Sequence, residues 1–152
     1  LTVADKIRIA TELKDKGNEL FKAGDYKAAR ASYARVFAYV NGLRDRNSLM
    51  KEYEDSLGRA PVSTDDEGEI GRLAVTANAN LAMVALKLGD LGRAITYCDK
   101  VLKEEPEHVK ALFRKGQAYM QLKDLDRAKK FLTSAAKLEP NNVAIRGELR
   151  KL

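Results

Sequence analysis

Apolar side chains recur every three or four residues through most of this chain, the spacing that lines them along one stripe of an α-helix. The clearest stretches are Val75 to Pro106, VTANANLAMVALKLGDLGRAITYCDKVLKEEP, and Val109 to Pro140, VKALFRKGQAYMQLKDLDRAKKFLTSAAKLEP. A short polar break interrupts each near its middle, Gly89-Asp90 in one and Lys123-Asp124 in the other, so each predicts two antiparallel helices, A before the break and B after it. Shifted by 34 residues, the copies align Ala82 with Gly116, Ala94 with Ala128, Val101 with Ala135 and Pro106 with Pro140. A third copy lies upstream: from Ala10, ATELKDKGNELFKAGDYKAARASYARVF carries Gly17, Gly24-Asp25, Ala29 and Tyr33 at the same offsets, without a terminal proline.

Small residues stand where paired helices must touch. Gly17, Ala82 and Gly116 let helix B approach helix A, and Ala29, Ala94 and Ala128 do the same from the other side. Pro106 and Pro140 stop the B helices, because proline lacks the N–H that a continuing helix needs. One pair cannot bury its apolar face alone; three stacked pairs can, which predicts an all-α, right-handed α-solenoid with the A helices lining a concave channel. Period, small-residue positions, turns and proline stops together resemble the tetratricopeptide repeat (TPR) family over Ala10 to Pro140. The departures are the lack of tryptophan, Asn78 and Cys98 where larger apolar or aromatic residues are common, and Lys123 in place of a turn glycine.

The expected organisation is one domain over 1–152, with repeat 1 about 10–41, an insertion about 42–74, repeat 2 about 75–108, repeat 3 about 109–142 and a capping helix about 143–152. The insertion follows from spacing: copy two starts 65 residues after copy one instead of 34, leaving 31 extra. Around it lie Asn41-Gly42, the charged stretch LRDRNSLMKEYEDSLGRAP, and Ser63-Thr64-Asp65-Asp66-Glu67, whose hydroxyl and acidic groups suit a helix N-cap and first turn. A lengthened A helix in repeat 2 is therefore expected, with a short helix near Ser48 to Leu57 or a mobile loop before it. Asn141-Asn142 can cap the final helix, whose Val143, Ile145 and Leu149 are expected to cover the end of repeat 3.

Composition narrows the function classes. A chain of 152 residues, 45% apolar and 33% charged, fits a soluble domain, and its longest apolar run, Leu81 to Leu86, is far short of the roughly 20 residues of a spanning helix. The chain opens on Leu1 and is read as a piece of a longer protein. One cysteine, Cys98, allows no internal disulfide and fits a reducing, cytoplasmic setting. A lone His108 builds no metal site, and no glycine-rich phosphate loop or nucleophile with a partnered histidine occurs, so neither catalysis nor a cofactor is expected here. Cys98 falls on the core side of a B helix and is expected to be an inert thiol; His108 precedes an A helix and is expected to be solvated. The net charge of +6 favours an acidic partner.

The chemical signal lies on the A helices. Lys14 and Asn18 are four residues apart, as are Lys110 and Arg114, and residues four apart share a helix face. With Asn80 from repeat 2, stacked repeats would turn three cations and two amides into one channel, an arrangement suited to an anion. Lys110 with Arg114 is a like-charge pair that costs a helix about 0.2–0.5 kcal/mol, so stability does not explain it. Singly, each lysine or arginine has the plain reading of a solvated face, and each asparagine one of packing. Jointly they occupy all five places of the dicarboxylate clamp of TPR co-chaperones. That resemblance implies a receptor for the Glu-Glu-Val-Asp tail of the 90-kDa and 70-kDa heat-shock chaperones. Lys14, Asn18 and Asn80 would hold the main-chain carboxylate, and Lys110 and Arg114 the aspartate side chain and nearby peptide oxygens. Phe21 and Met83 would seat the valine, or serve as plain core, with Lys87 and Gln117 as further polar contacts.

The insertion, together with Ala79-Asn80-Leu81-Ala82-Met83 and KALFRKGQA at Lys110 to Ala118, resembles the TPR segment of FKBP-type immunophilins, which are peptidyl-prolyl isomerases. This implies an isomerase domain outside the chain. The competing readings are a scaffold for a partner helix, which would tolerate loss of the cations, and a nucleic-acid-binding helical repeat, for which no aromatic-interleaved basic stripe is present.

Overall fold

The computed structural model describes residues 1–49 and 64–152, and over them it contains seven helices and no strand. These are α1 (Val3–Lys22), α2 (Tyr26–Leu49), α3 (Thr64–Leu88), α4 (Leu91–Glu104), α5 (Val109–Gln121), α6 (Leu125–Leu138) and α7 (Val143–Arg150). The chain divides into two compact units, 1–77 and 78–152, with the division falling inside α3.

In the first unit, α1 starts at Val3, two turns ahead of Ala10. Thr2 caps it by accepting from the Asp5 amide at 3.0 Å, and the Asp5 carboxylate accepts in return from the Thr2 amide at 3.2 Å. Ile7, Ala10 and Leu13 of α1 pack with Val36, Val40 and Leu43 of α2 and with Ile70, Leu73, Ala74 and Ala77 of α3. Each large member of such a cluster contributes about 1.5–3 kcal/mol by leaving water. Gly17 admits the ring of Tyr33: a Cβ there would lie 2.6 Å from Tyr33 Cδ1.

The second helix includes Asn41 and Gly42. α2 passes straight through both residues to Leu49, because Val40 and Leu43 on either side are buried one turn apart. At the far end α3 begins at Thr64, with Asp65, Asp66 and Glu67 in its first turn, so helix A of repeat 2 is lengthened. Ser63 and most of the short helix or loop expected near Ser48 to Leu57 lie outside the described residues.

The second unit builds its core from smaller residues. Ala85, Ala94 and Ala118 form one cluster, flanked by Leu86, Ile95 and Tyr97; Leu112, Ala135 and Ile145 form another, flanked among others by Phe113, Phe131 and Leu149. Gly116 brings α6 close, since a Cβ there would lie 2.7 Å from Leu132 Cγ. Helices α4 and α6 end at Glu104 and Leu138, two residues before Pro106 and Pro140. At the C-terminus Asn142 caps α7 by accepting from the Ile145 amide at 3.2 Å, Ile145 is fully buried, and Leu149 packs beside it. Val143 does not join them. It is 82% exposed, because two residues along a helix turn about 200° and carry it to the opposite side from Ile145.

All three A-to-B turns share one geometry. The amides of Asp25, Asp90 and Asp124 donate back to the carbonyls of Leu20, Ala85 and Tyr119 at 2.9, 2.8 and 3.0 Å, and each aspartate then caps the next helix. The preceding residue must be left-handed: Gly24 has φ 81° and Gly89 φ 74°, and Lys123 adopts φ 63° with a side chain attached.

Candidate functional site

The sequence-predicted residues fall into two groups, one in each unit. On α1, Lys14 and Asn18 lie one turn apart on the same face. Lys14 is partly buried, with Nζ 3.5 Å from the neighbouring Asp15 carboxylate. Asn18 is half-buried, and its Oδ1 accepts from the Tyr33 hydroxyl at 2.6 Å. Phe21 is half-buried and tilts against Tyr26 across the turn, ring centroids 5.1 Å apart.

In the second unit the C-terminal part of α3 carries Asn80 and Met83, both half-buried, and exposed Lys87. Arg114 crosses from α5 to meet them. Its Nη1 donates to the Ala79 carbonyl at 2.7 Å and its Nη2 lies 3.7 Å from Met83 Sδ, which holds the guanidinium against α3 between Ala79 and Met83. Lys110, one turn earlier on α5, is exposed, and Gln117, three residues later, is half-buried. The adjacent Lys115 points elsewhere: it pairs with Asp99 of α4 and stands 4.0 Å above the Phe131 ring, so it belongs to the packing of the helices.

Electrostatics separates the units further. Residues 1–77 hold 13 basic and 13 acidic side chains, and residues 78–152 hold 15 basic and 9 acidic, so the whole excess of six charges sits on the unit bearing Lys110 and Arg114. A count by halves would have exposed this from the sequence. The roles of Tyr33 and of the Ala79 carbonyl had no such signal, since one depends on a rotamer and the other on a backbone group.

His108 differs from its expected solvated state. It is half-buried and caps α5, with Nδ1 accepting from the Ala111 amide at 3.1 Å. Burial holds its pKa below 6.5; Glu105 opposes that shift, and Arg114 and Lys110 reinforce it. Burial likewise pushes the Cys98 thiol up to about 12, which keeps it protonated and unreactive at neutral pH. Among the described residues no cluster of His, Cys, Asp and Glu could hold a metal, and no helix is long and apolar enough to cross a membrane.

Comparison with known proteins follows the same repeat. A tetratricopeptide repeat family model matches residues 85–152. Peptidyl-prolyl cis-trans isomerase FKBP4 from Bos taurus is 30% identical over 145 residues, covering 95% of this chain and 28% of FKBP4, so the chain spans little more than a quarter of that relative. The C-terminal TPR-containing domain of a Plasmodium falciparum putative FK506-binding protein is 29% identical with a TM-score of 0.80, covering 99% of this chain and 90% of the other. The first TPR of Spaghetti (RPAP3), solved bound to the HSP90 peptide SRMEEVD, is 26% identical with a TM-score of 0.69, covering 95% and 90%. With seven helices over its described residues, its recurring small residues and these likenesses, the chain is a tetratricopeptide repeat domain, homologous to the C-terminal TPR region of FKBP4.

Proposed function

We propose that this domain grips the free C-terminus of an acidic partner, the Glu-Glu-Val-Asp tail of the 90-kDa or 70-kDa heat-shock chaperones, through a dicarboxylate clamp of Lys14, Asn18, Asn80, Lys110 and Arg114. The observation that carries this reading is Arg114, whose guanidinium is tied to the carbonyl of Ala79, the residue before Asn80, before any ligand arrives. A donor fixed in advance loses little freedom on binding, and arginine presents a rigid fork that matches a carboxylate. A terminal aspartate offers two carboxylates, and the peptide held by the RPAP3 domain ends in that residue. Phe21 and Met83 would line the valine position, with Lys87 and Gln117 at the margin.

Charge-assisted hydrogen bonds contribute about 1.5–3 kcal/mol each, and ordering a flexible tail offsets much of their sum. A net near −7 to −8 kcal/mol, roughly low-micromolar affinity, is the expected result. The attraction is ionic and open to water, so affinity should fall as salt rises. By homology with FKBP4 the parent would be a cytoplasmic peptidyl-prolyl isomerase whose catalytic domain lies outside this segment, and the domain would bring that activity to chaperone clients.

The decisive experiment is a calorimetric titration with the tail peptide as free acid and as C-terminal amide. The clamp requires strong preference for the acid; equal affinities would defeat it.

A further inference from the structure

We propose that Tyr33 is a positioning residue for the clamp, turning the side-chain amide of Asn18 so that its nitrogen is presented to a carboxylate. This rests on the clamp reading above. Tyr33 lies on α2, is fully buried, and packs its ring against Gly17, where no other residue leaves room. A buried phenol needs a hydrogen-bond partner, and the Tyr33 hydroxyl finds Asn18 Oδ1 at 2.6 Å.

The consequence is geometric. An asparagine amide is planar, with oxygen and nitrogen on opposite sides of its carbon, and either end can face a ligand unless something chooses. Only the nitrogen donates, and a carboxylate only accepts. By engaging the oxygen, Tyr33 directs the nitrogen away from itself, and the amide meets an anion with its donor end. With the amide reversed, oxygen would face oxygen.

The other repeats lack this device. Sixteen residues after the small contact residue, where repeat 1 has Tyr33 after Gly17, repeat 2 has Cys98 after Ala82 and repeat 3 has Leu132 after Gly116. Neither is a phenol. The hydroxyl therefore occurs in the one repeat whose clamp asparagine lies on the residue next to the small one, within its reach.

Tyr33→Phe removes the hydroxyl and keeps the ring. The free-acid tail peptide should bind about fivefold more weakly to this variant, the size of one neutral hydrogen bond, while binding of the amidated peptide stays unchanged. In an Asn18→Ala background the same substitution should change affinity no further. A purely structural tyrosine would lower the melting temperature and leave acid-peptide affinity as it was, which would overturn the proposal while the clamp survives. Additive losses in the double variant would also overturn it. Wild-type protein that fails to distinguish acid from amide would sink the clamp and this inference together.

A second measurement covers the case in which Tyr33→Phe is too unstable to titrate. In a nitrogen-correlated NMR spectrum of the wild-type chain, the Asn18 side-chain amide protons should shift on adding the acid peptide and remain in place with the amide. Unmoved protons under saturating acid peptide would mean the oxygen faces the ligand, contrary to the proposal.

Discussion

Helices α1, α2 and α3 run for 20, 24 and 25 residues, whereas α4, α5 and α6 stop after 14, 13 and 14. The long ones bury a seam rich in isoleucine, leucine and valine; the short ones bury a larger share of alanine, with Val101, Leu112 and Leu132 among their larger buried members. The first unit is electrically neutral and the second carries the excess positive charge. The same pairing rule thus tolerates both long and short helices, provided that a small residue marks the crossing. What differs is the group that fills the crossing: the rigid ring of Tyr33 over Gly17, and the branched side chain of Leu132 over Gly116.

The contrast in charge can be broken first. On the clamp reading, Lys110→Ala together with Arg114→Ala should weaken tail binding by roughly a hundredfold or more, about 3 kcal/mol, with the helical circular dichroism unchanged. Lys14→Ala, in the neutral unit and already beside Asp15, should cost only about tenfold. A titration series showing the reverse order would contradict the assignment of the dominant attraction to the second unit.

Packing gives the next largest effect. Gly17→Ala forces a methyl into the Tyr33 ring, which cannot bend, and should destabilise the domain by about 2–3 kcal/mol in urea unfolding. Gly116→Ala should cost only about 1 kcal/mol, since Leu132 can change rotamer and alanine favours the helix. Equal losses would show that the two crossings are equally stiff.

The turns supply a smaller test. Lys123→Gly should raise stability by about 0.5–1 kcal/mol, because it relieves a left-handed residue that carries a side chain, and the gain should appear as a higher urea midpoint. The smallest effect concerns pH. The folded-state pKa of His108 lies below its unfolded value of 6.5, so its contribution is complete above pH 6.5 and is lost as pH falls through the folded-state value. His108→Asn keeps a capping acceptor and should flatten that part of the stability profile, measured by melting between neutral and mildly acidic pH.

The repeat itself was legible because its markers are local. Gly24, Gly89 and the capping aspartates report backbone conformations that few other residues adopt, and Pro106 and Pro140 lie just beyond helix ends. The passage of α2 through Asn41-Gly42 had no such marker, since it goes with burial of Val40 and Leu43, which only the assembled helices reveal. Val143 was assigned to the covering face by its hydrophobicity, although its angle about the helix excludes it. His108 escaped notice as a cap because it stands outside the usual serine, threonine, asparagine and aspartate set. Within the candidate site, Lys14, Asn18, Asn80, Lys110 and Arg114 could be picked out by helical spacing and family likeness. The anchoring of Arg114 on a backbone carbonyl and of Asn18 on a residue fifteen positions away had no sequence signature.

Cys98 gives the domain an internal clock. It is the sole thiol, has no exposed surface, and stays protonated in the closed state, so a maleimide or disulfide reagent can reach it only when α4 lifts from its neighbours. The rate of labelling under native conditions therefore reads the frequency of that opening, without any engineered probe.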